Sequence, residues 1–251
     1  MINKDVTAAI CTKNAEANLE QCLNNLQKLE VNRIIAVDAE SIDKTLEILK
    51  SHGVEIFKDI FKTLGGARSI AVTNTKTKYI LFLGPDNLLN KETLKLLKLE
   101  MSQKNWIGIA PLQKVFEPKG YLLNSLNIYK SAKITTGAKN VIGTPQLYLS
   151  EILKKNNYNP KMHYSDDTEL GDRLNNLNFK IGVGNAESYE IGEDKISDIF
   201  KRWKLYGNSD RDFHNLKKKN WSTWHKLKSL ISPFKKDFLN IIFSNNLNIY
   251  K

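Results

Sequence analysis

Lys78-Tyr79-Ile80-Leu81-Phe82-Leu83-Gly84-Pro85-Asp86-Asn87 decides the fold class. Five consecutive aromatic or branched apolar residues read as a strand buried on both faces, and the turn formers Gly84, Pro85 and Asn87 stop it. Asp86 therefore stands at the carboxyl end of a buried strand. In an open α/β sheet that edge faces the ligand crevice, so a carboxylate there suits a cation or a charged substrate. A Pro-Asp turn that merely ends the strand is the plainer reading of the same residues.

Upstream, an apolar run over residues 6–11 ends in Thr12-Lys13-Asn14, after which Leu19, Cys22, Leu23 and Leu26 fall at helical spacing. A second run, Ile34-Ile35-Ala36-Val37, ends at Asp38, with a polar turn before Leu46, Ile48 and Leu49 open another helix. Residues 54–57 form a short third strand. Strands alternating with helices at this spacing predict right-handed βαβ units and a mostly parallel sheet flanked by helices. No G-x-G-x-x-G follows the first strand and no G-K-[ST] is present, which excludes the Rossmann and P-loop fingerprints. Gly65-Gly66-Ala67-Arg68 precedes a helix through Ile70, Ala71 and Val72. Two glycines permit close approach of backbone to a ligand, and Arg68 near a helix start suits a phosphate as well as solvent.

Downstream, a helix is expected between Leu94 and Trp106, then a strand over 107–110. Residues 111–150 are broken up by Gly120, Gly137, Gly143 and Pro145, and return to strand character at 143–149 before a helix over 151–155. Leu170, Leu174 and Leu177 keep helical spacing, which puts Asp166 and Asp167 in a helix's first turn. There the macrodipole stabilises carboxylates, a sufficient structural reason for them. A carboxylate so placed is also a good general base, and two adjacent ones repel enough to favour unequal roles.

The 251 residues, 41% hydrophobic and 26% charged, have an ordinary globular composition. Cys11 and Cys22 read as reduced and structural. Neither an apolar signal core nor a run of about 18 apolar residues occurs, so a cytoplasmic protein is expected. The net charge of +11 is concentrated late: residues 195–251 carry 13 Lys+Arg against 4 Asp+Glu, leaving 25 against 23 before them. In that tail basic residues interleave with Trp203, Tyr206, Trp221 and Trp224, and Phe234, Phe238, Ile241 and Phe243 add an apolar stripe. An interfacial helix on anionic lipid and a helix pair packed on the domain both fit this pattern.

Together these segments resemble a family 2 glycosyltransferase of the GT-A fold, over about residues 5–207. Thr12-Lys13-Asn14-Ala15-Glu16 is similar to the family's T-x-N-x-E loop, and Val37-Asp38-Ala39-Glu40-Ser41-Ile42-Asp43-Lys44-Thr45 to V-D-D-G-S-x-D-x-T. Gly66-Ala67-Arg68 resembles the G-x-A-R segment, whose Arg approaches the nucleotide and its phosphates in the family. Phe82-Leu83-Gly84-Pro85-Asp86-Asn87 occupies the place of F-L-D-x-D-D, with Gly84 in place of the first Asp. Ser165-Asp166-Asp167, with Glu169-Leu170 and Arg173-Leu174, resembles E-D-x-E-L-x-x-R-L, and residues 200–207 resemble the later R-x-x-x-Y-G segment; the His often found before it is absent.

The resemblance implies a GT-A domain over 1–208 and a basic helical extension over 209–251. It implies an inverting transferase moving a sugar from a nucleotide-diphosphate sugar to a hydroxyl on a glycan or lipid-linked carrier. Thr12, Asn14, Glu16, Asp38, Gly66, Arg68 and Asp86 would bind the donor, Asp86 would hold Mg2+ or Mn2+, and Asp167 beside Asp166 would act as base. Residues 111–150 would line the acceptor. The tail would meet the inner face of an anionic membrane. A GT-A-fold protein that binds without transferring is the alternative motivated by Gly84. A nucleic-acid binder is the alternative motivated by charge, but no finger, homeodomain or RNP pattern supports it, and nucleic acid is not an expected partner.

Overall fold

The computed structural model describes residues 3–163 and 165–192, together with Lys195, Ser197, Lys204 and Trp224. The chain divides into two units, Met1–Phe213 and His214–Lys251. The segment 200–207 and the extension expected over 209–251 lie outside the described residues except at Lys204 and Trp224.

β1 (Asn3–Thr12), α1 (Glu16–Lys28), β2 (Val31–Asp38), α2 (Thr45–Ser51), β3 (Glu55–Lys58), α3 (Leu64–Asn74) and β4 (Tyr79–Leu83) form the expected parallel half, ordered β3-β2-β1-β4. Period-two alternation divides each strand between two cores. Val6, Ala8 and Ile10 of β1 and Leu81 and Leu83 of β4 meet α1 at Leu19, Cys22, Leu23 and Leu26. Ala9, Ile80 and Phe82 point the other way, onto Ala67 and Ala71 of α3. All five residues of β4 are buried, as their unbroken apolar run predicts.

β5 (Asn87–Leu89), α4 (Thr93–Lys104), β6 (Gly108–Val115), α5 (Gly120–Lys133), β7 (Gly137–Lys139), β8 (Gln146–Leu149), α6 (Ser150–Lys155), α7 (Asp166–Asn176) and β9 (Ile181–Glu190) complete the described residues. The sheet continues β4-β8-β6-β9-β5, with β7 also on β9. This half is mixed: β8 runs antiparallel to β4 and β6, β6 parallel to β9, and β5 and β7 antiparallel to β9. The reversed β8 matters for the site, because it sets Gln146 opposite Phe82 near the carboxyl end of β4. α4 packs in the α1 core, whereas α6 and α7 join α3 on the opposite face.

Three details differ from the sequence expectation. Gly65 and Gly66 lie inside the first turn of α3, after the Thr63 N-cap, whose Oγ1 accepts from Gly66 N–H at 3.0 Å. A Cβ at Gly65 would collide with the Asn159 carbonyl, and one at Gly66 with Phe61, so the protein itself fills the room these glycines leave. The span 111–150 contains α5, whose Leu122, Leu123 and Leu126 are only half-buried, so its apolar stripe is a weak signal. β9 carries Gly182 and Gly184, where side chains would strike the Trp106 ring and the Glu100 carboxylate.

Candidate functional site

The carboxyl ends of β1 and β2 carry two loops that brace each other. Thr12 and Asp38 are register partners, and the Thr12 hydroxyl donates to Asp38 Oδ1 at 2.8 Å. Ser41 donates its N–H to Asp38 Oδ2 (2.9 Å) and its hydroxyl to Oδ1 (2.6 Å). A carboxylate has about four acceptor positions; here three are taken, so Asp38 is held rigid with room for one more donor. Asn14, at φ 48°, donates its N–H to Ser41 Oγ (2.9 Å), and its Oδ1 accepts from Ile42 N–H (2.9 Å). Glu16 N–H donates to Asp43 Oδ2 (3.1 Å), and Glu16 Oε2 accepts from Lys44 N–H (2.9 Å). Thr12, Asn14, Glu16 and Asp38 are thus brought together as one scaffold, in which Ser41 and Asp43 are equal members.

Asp86 follows β4 in a tight turn. Asn87 N–H donates to the Gly84 carbonyl at 3.2 Å, and Gly84 N–H donates to Asn87 Oδ1 at 2.8 Å. The half-buried Asp86 carboxylate folds back over residue 84, so that a Cβ there would lie 2.5 Å from Asp86 Oδ1. A side chain at residue 84 would shift the tip of the Asp86 side chain. The charge is felt by Cys22 beneath the turn: burial pushes its thiol up to about 12, and Asp86 adds to the rise. Burial raises Cys11 to about 12 as well, so both free cysteines are inert thiols, as expected.

The third group lies on the other face of β4. The loop before α7 docks on α3, Thr63 donating its hydroxyl to the Pro160 carbonyl (2.7 Å) and Gly65 its N–H to the Met162 carbonyl (2.9 Å). This brings the first turn of α7 over Arg68. Arg68 Nη1 donates to Asp166 Oδ2 at 2.8 Å and to Asp167 Oδ1 at 2.5 Å, and Nη2 donates to Thr144 Oγ1 at 2.5 Å. The guanidinium also stands 5.4 Å from the Tyr158 ring centroid and 5.8 Å from that of Phe82. The sequence left Arg68 open to a phosphate or to solvent; in the structure its side chain is 6% exposed and both of its terminal nitrogens donate within the protein.

The two aspartates are unequal. Asp166 is fully buried; burial lifts its carboxyl to about 7, with Arg68 opposing and Asp167 adding to the rise. Its Oδ1 has no hydrogen-bond partner among the described residues. The side chain of Asp167 is 18% exposed and accepts at Oδ1 from Gln146 Nε2 (2.8 Å) and the Tyr158 hydroxyl (3.5 Å) besides Arg68. Burial alone would lower the Arg68 pKa, but Asp166 and then Asp167 outweigh it and hold the guanidinium charged. Gln146, Tyr158 and Thr144 were not singled out from sequence. The available signal was Gln146 itself, an amide opening the apolar run Gln146-Leu147-Tyr148-Leu149.

The three groups therefore share the carboxyl edge of β1, β2 and β4. An open groove of about 730 Å3, lined by Glu20, Gln21 and Asn24 of α1, Leu88 and Leu89 of β5, Phe116 and Tyr189, contains none of the residues of these groups. A second hollow of about 400 Å3, with Arg33 and His52, lies at the amino end of β2 and contains none of these residues. Among the described residues no three His, Cys, Asp or Glu side chains cluster as a metal site, and no helix is long and apolar enough to cross a membrane.

An uncharacterized glycosyltransferase of Rickettsia bellii is 34% identical over 92 residues, 37% of this chain and 31% of that protein. The poly(ribitol-phosphate) beta-N-acetylglucosaminyltransferase TarS of Staphylococcus aureus is 26% identical over 168 residues, 57% of this chain and 29% of that protein. The chain thus spans about a third of the length of these curated relatives. Among solved structures, S. aureus TarS 1–349 in complex with UDP-GlcNAc superposes with a TM-score of 0.58 at 18% identity, covering 76% of this chain and 59% of that one. Glucosyl-3-phosphoglycerate synthase from Mycobacterium tuberculosis, in complex with Mg2+ and uridine-diphosphate, gives 0.58 at 15% identity, covering 78% and 74%. These likenesses establish the GT-A fold. The model of glycosyl transferase family 2 matches residues 7–156, more than half of the sequence, and the chain belongs to that family.

Proposed function

We propose that this chain transfers a sugar from a nucleotide-diphosphate sugar to a hydroxyl acceptor with inversion, Asp167 taking the acceptor's proton. The observation that carries this reading is the partly exposed Asp167 carboxylate, anchored by Arg68 and Gln146 at the sheet edge that also bears the Asp38 loops and Asp86. Two similar structures contain uridine diphosphate or its GlcNAc ester, which makes uridine-diphosphate sugars the first donors to test. Asp38 has one acceptor position left for a nucleobase N–H. The hydroxyl would belong to a glycan or a lipid-linked carrier, and the basic tail would bring the protein to an anionic membrane from the cytoplasmic side.

Asp86 would hold a divalent ion, Mg2+ or Mn2+. The fit rests on one carboxylate cradled over Gly84, with the donor's phosphates supplying further oxygens, and Mg2+ commonly takes only one or two protein carboxylates. Such an ion would offset the charge that grows on the departing diphosphate. Asp167 then needs good positioning more than strong basicity.

The test uses a panel of nucleotide-diphosphate sugars with Mn2+, scoring release of the nucleotide diphosphate. Asp167→Asn abolishes turnover while donor binding by thermal shift persists. Equal turnover by variant and parent would strip Asp167 of its role. Binding of donor by the parent without any turnover would instead favour a GT-A-fold binding protein, the reading that Gly84 supports.

A further inference from the structure

We infer that Gln146 is a positioning residue that holds Asp167 by Oδ1 and thereby makes Oδ2 the oxygen that accepts the proton. This rests on the reading of Asp167 as the base and says how its two oxygens divide the work. Three donors converge on Oδ1: Arg68 Nη1, Gln146 Nε2 and the Tyr158 hydroxyl. Oδ2 accepts no hydrogen bond from the described residues, and the side chain is 18% exposed. The acceptor hydroxyl therefore meets Oδ2: its proton passes there, its oxygen bonds the anomeric carbon, and the bond to the diphosphate oxygen breaks with the electron pair leaving on the nucleotide.

Gln146 is poorly explained by packing. It is completely buried at the start of β8, opposite Phe82, in a strand whose other residues are apolar. Its Nε2 donates to Asp167 and, at 3.1 Å, to the Tyr158 hydroxyl, yet its Oε1 is buried without a partner among the described residues. Stranding an amide oxygen is unfavourable, and an apolar side chain of similar length would avoid it. Turning the amide over would set that oxygen against the carboxylate, so the orientation follows from Asp167. The amide is best explained by the anchoring it supplies, since a carboxylate pinned at one oxygen cannot rotate its other out of line.

Gln146→Met keeps the length and removes the donor. With whichever sugar donor of the panel turns over in Mn2+, kcat is expected to fall about 10- to 100-fold, a size ordinary for a misplaced general base, with the donor KM unchanged. The melting temperature holds or rises, because the stranded oxygen has gone too. A lower melting temperature with kcat and the donor KM altered in parallel would make Gln146 a purely structural residue and overturn the inference. Asp167→Asn, run alongside, separates the two levels: if it turns over fully, or if no donor turns over with the parent, the reading beneath falls. If it is inactive while Gln146→Met equals the parent, only the role of Gln146 is lost.

Discussion

Replacing Arg68 by methionine tests whether one guanidinium holds the two acidic side chains in place. The Arg68 side chain is 6% exposed, Asp166 0% and Asp167 18%, with contacts of 2.8 and 2.5 Å. Methionine fills much of the volume but leaves two carboxylates with no counter-charge. Breaking a buried pair from one side costs about 3–5 kcal/mol. For a unit of this size each kcal/mol moves the melting point by about 2–4 °C, so a drop of roughly 6–20 °C is expected at pH 8. The penalty depends on pH with a definite sign. Without Arg68, which opposes the rise at Asp166, the folded state holds a proton on Asp166 more tightly than the parent does, so the difference in stability shrinks as pH falls. Urea unfolding followed by circular dichroism, at pH 8 and pH 5, measures both values. Adding Asp166→Asn to the variant recovers part of the loss, because residues in contact are coupled. An equal penalty at both pH values, or strictly additive effects of the two substitutions, would refute the electrostatic account and leave only lost packing.

Two further outcomes follow from the same residues. Asp166 titrates near 7 when folded against the ordinary 3.8, because burial disfavours its charge. The folded state therefore binds the extra proton, and its contribution to stability declines as pH rises from about 4 to about 7. Asp166→Asn flattens that part of a urea-unfolding profile, and an unchanged slope would contradict the assignment. Gly84→Asp sets a second carboxylate where a Cβ lies 2.5 Å from Asp86 Oδ1. Repulsion between the two lowers the melting point in EDTA, whereas Mn2+ raises it by more in the variant than in the parent, since an ion that binds only the native state stabilises it. Identical Mn2+ responses would argue against a cation at Asp86.

What local pattern can encode, the sequence by itself determined. The unbroken apolar run of β4 required burial on both faces, alternating strand and helix periods required parallel crossovers, and Asp86 and the pair Asp166–Asp167 had to fall at a strand's end and in a helix's first turn. Elements with a buried apolar stripe were legible; α5, whose leucines are only half-buried, and β9, whose glycines admit Trp106 and Glu100, were not. The contacts that make the acidic cluster came only with the tertiary structure. Arg68 and Asp167 are 99 positions apart, and Gln146 reaches Asp167 because β8 enters the sheet reversed and presents its first residue at the carboxyl end of β4. Spacing along the chain carries no information about such partners, because the sheet's strand order and direction set who meets whom. The same holds for Gly65 and Gly66: that they are small is written in the chain, but that a neighbouring loop and Phe61 occupy the space is decided by packing.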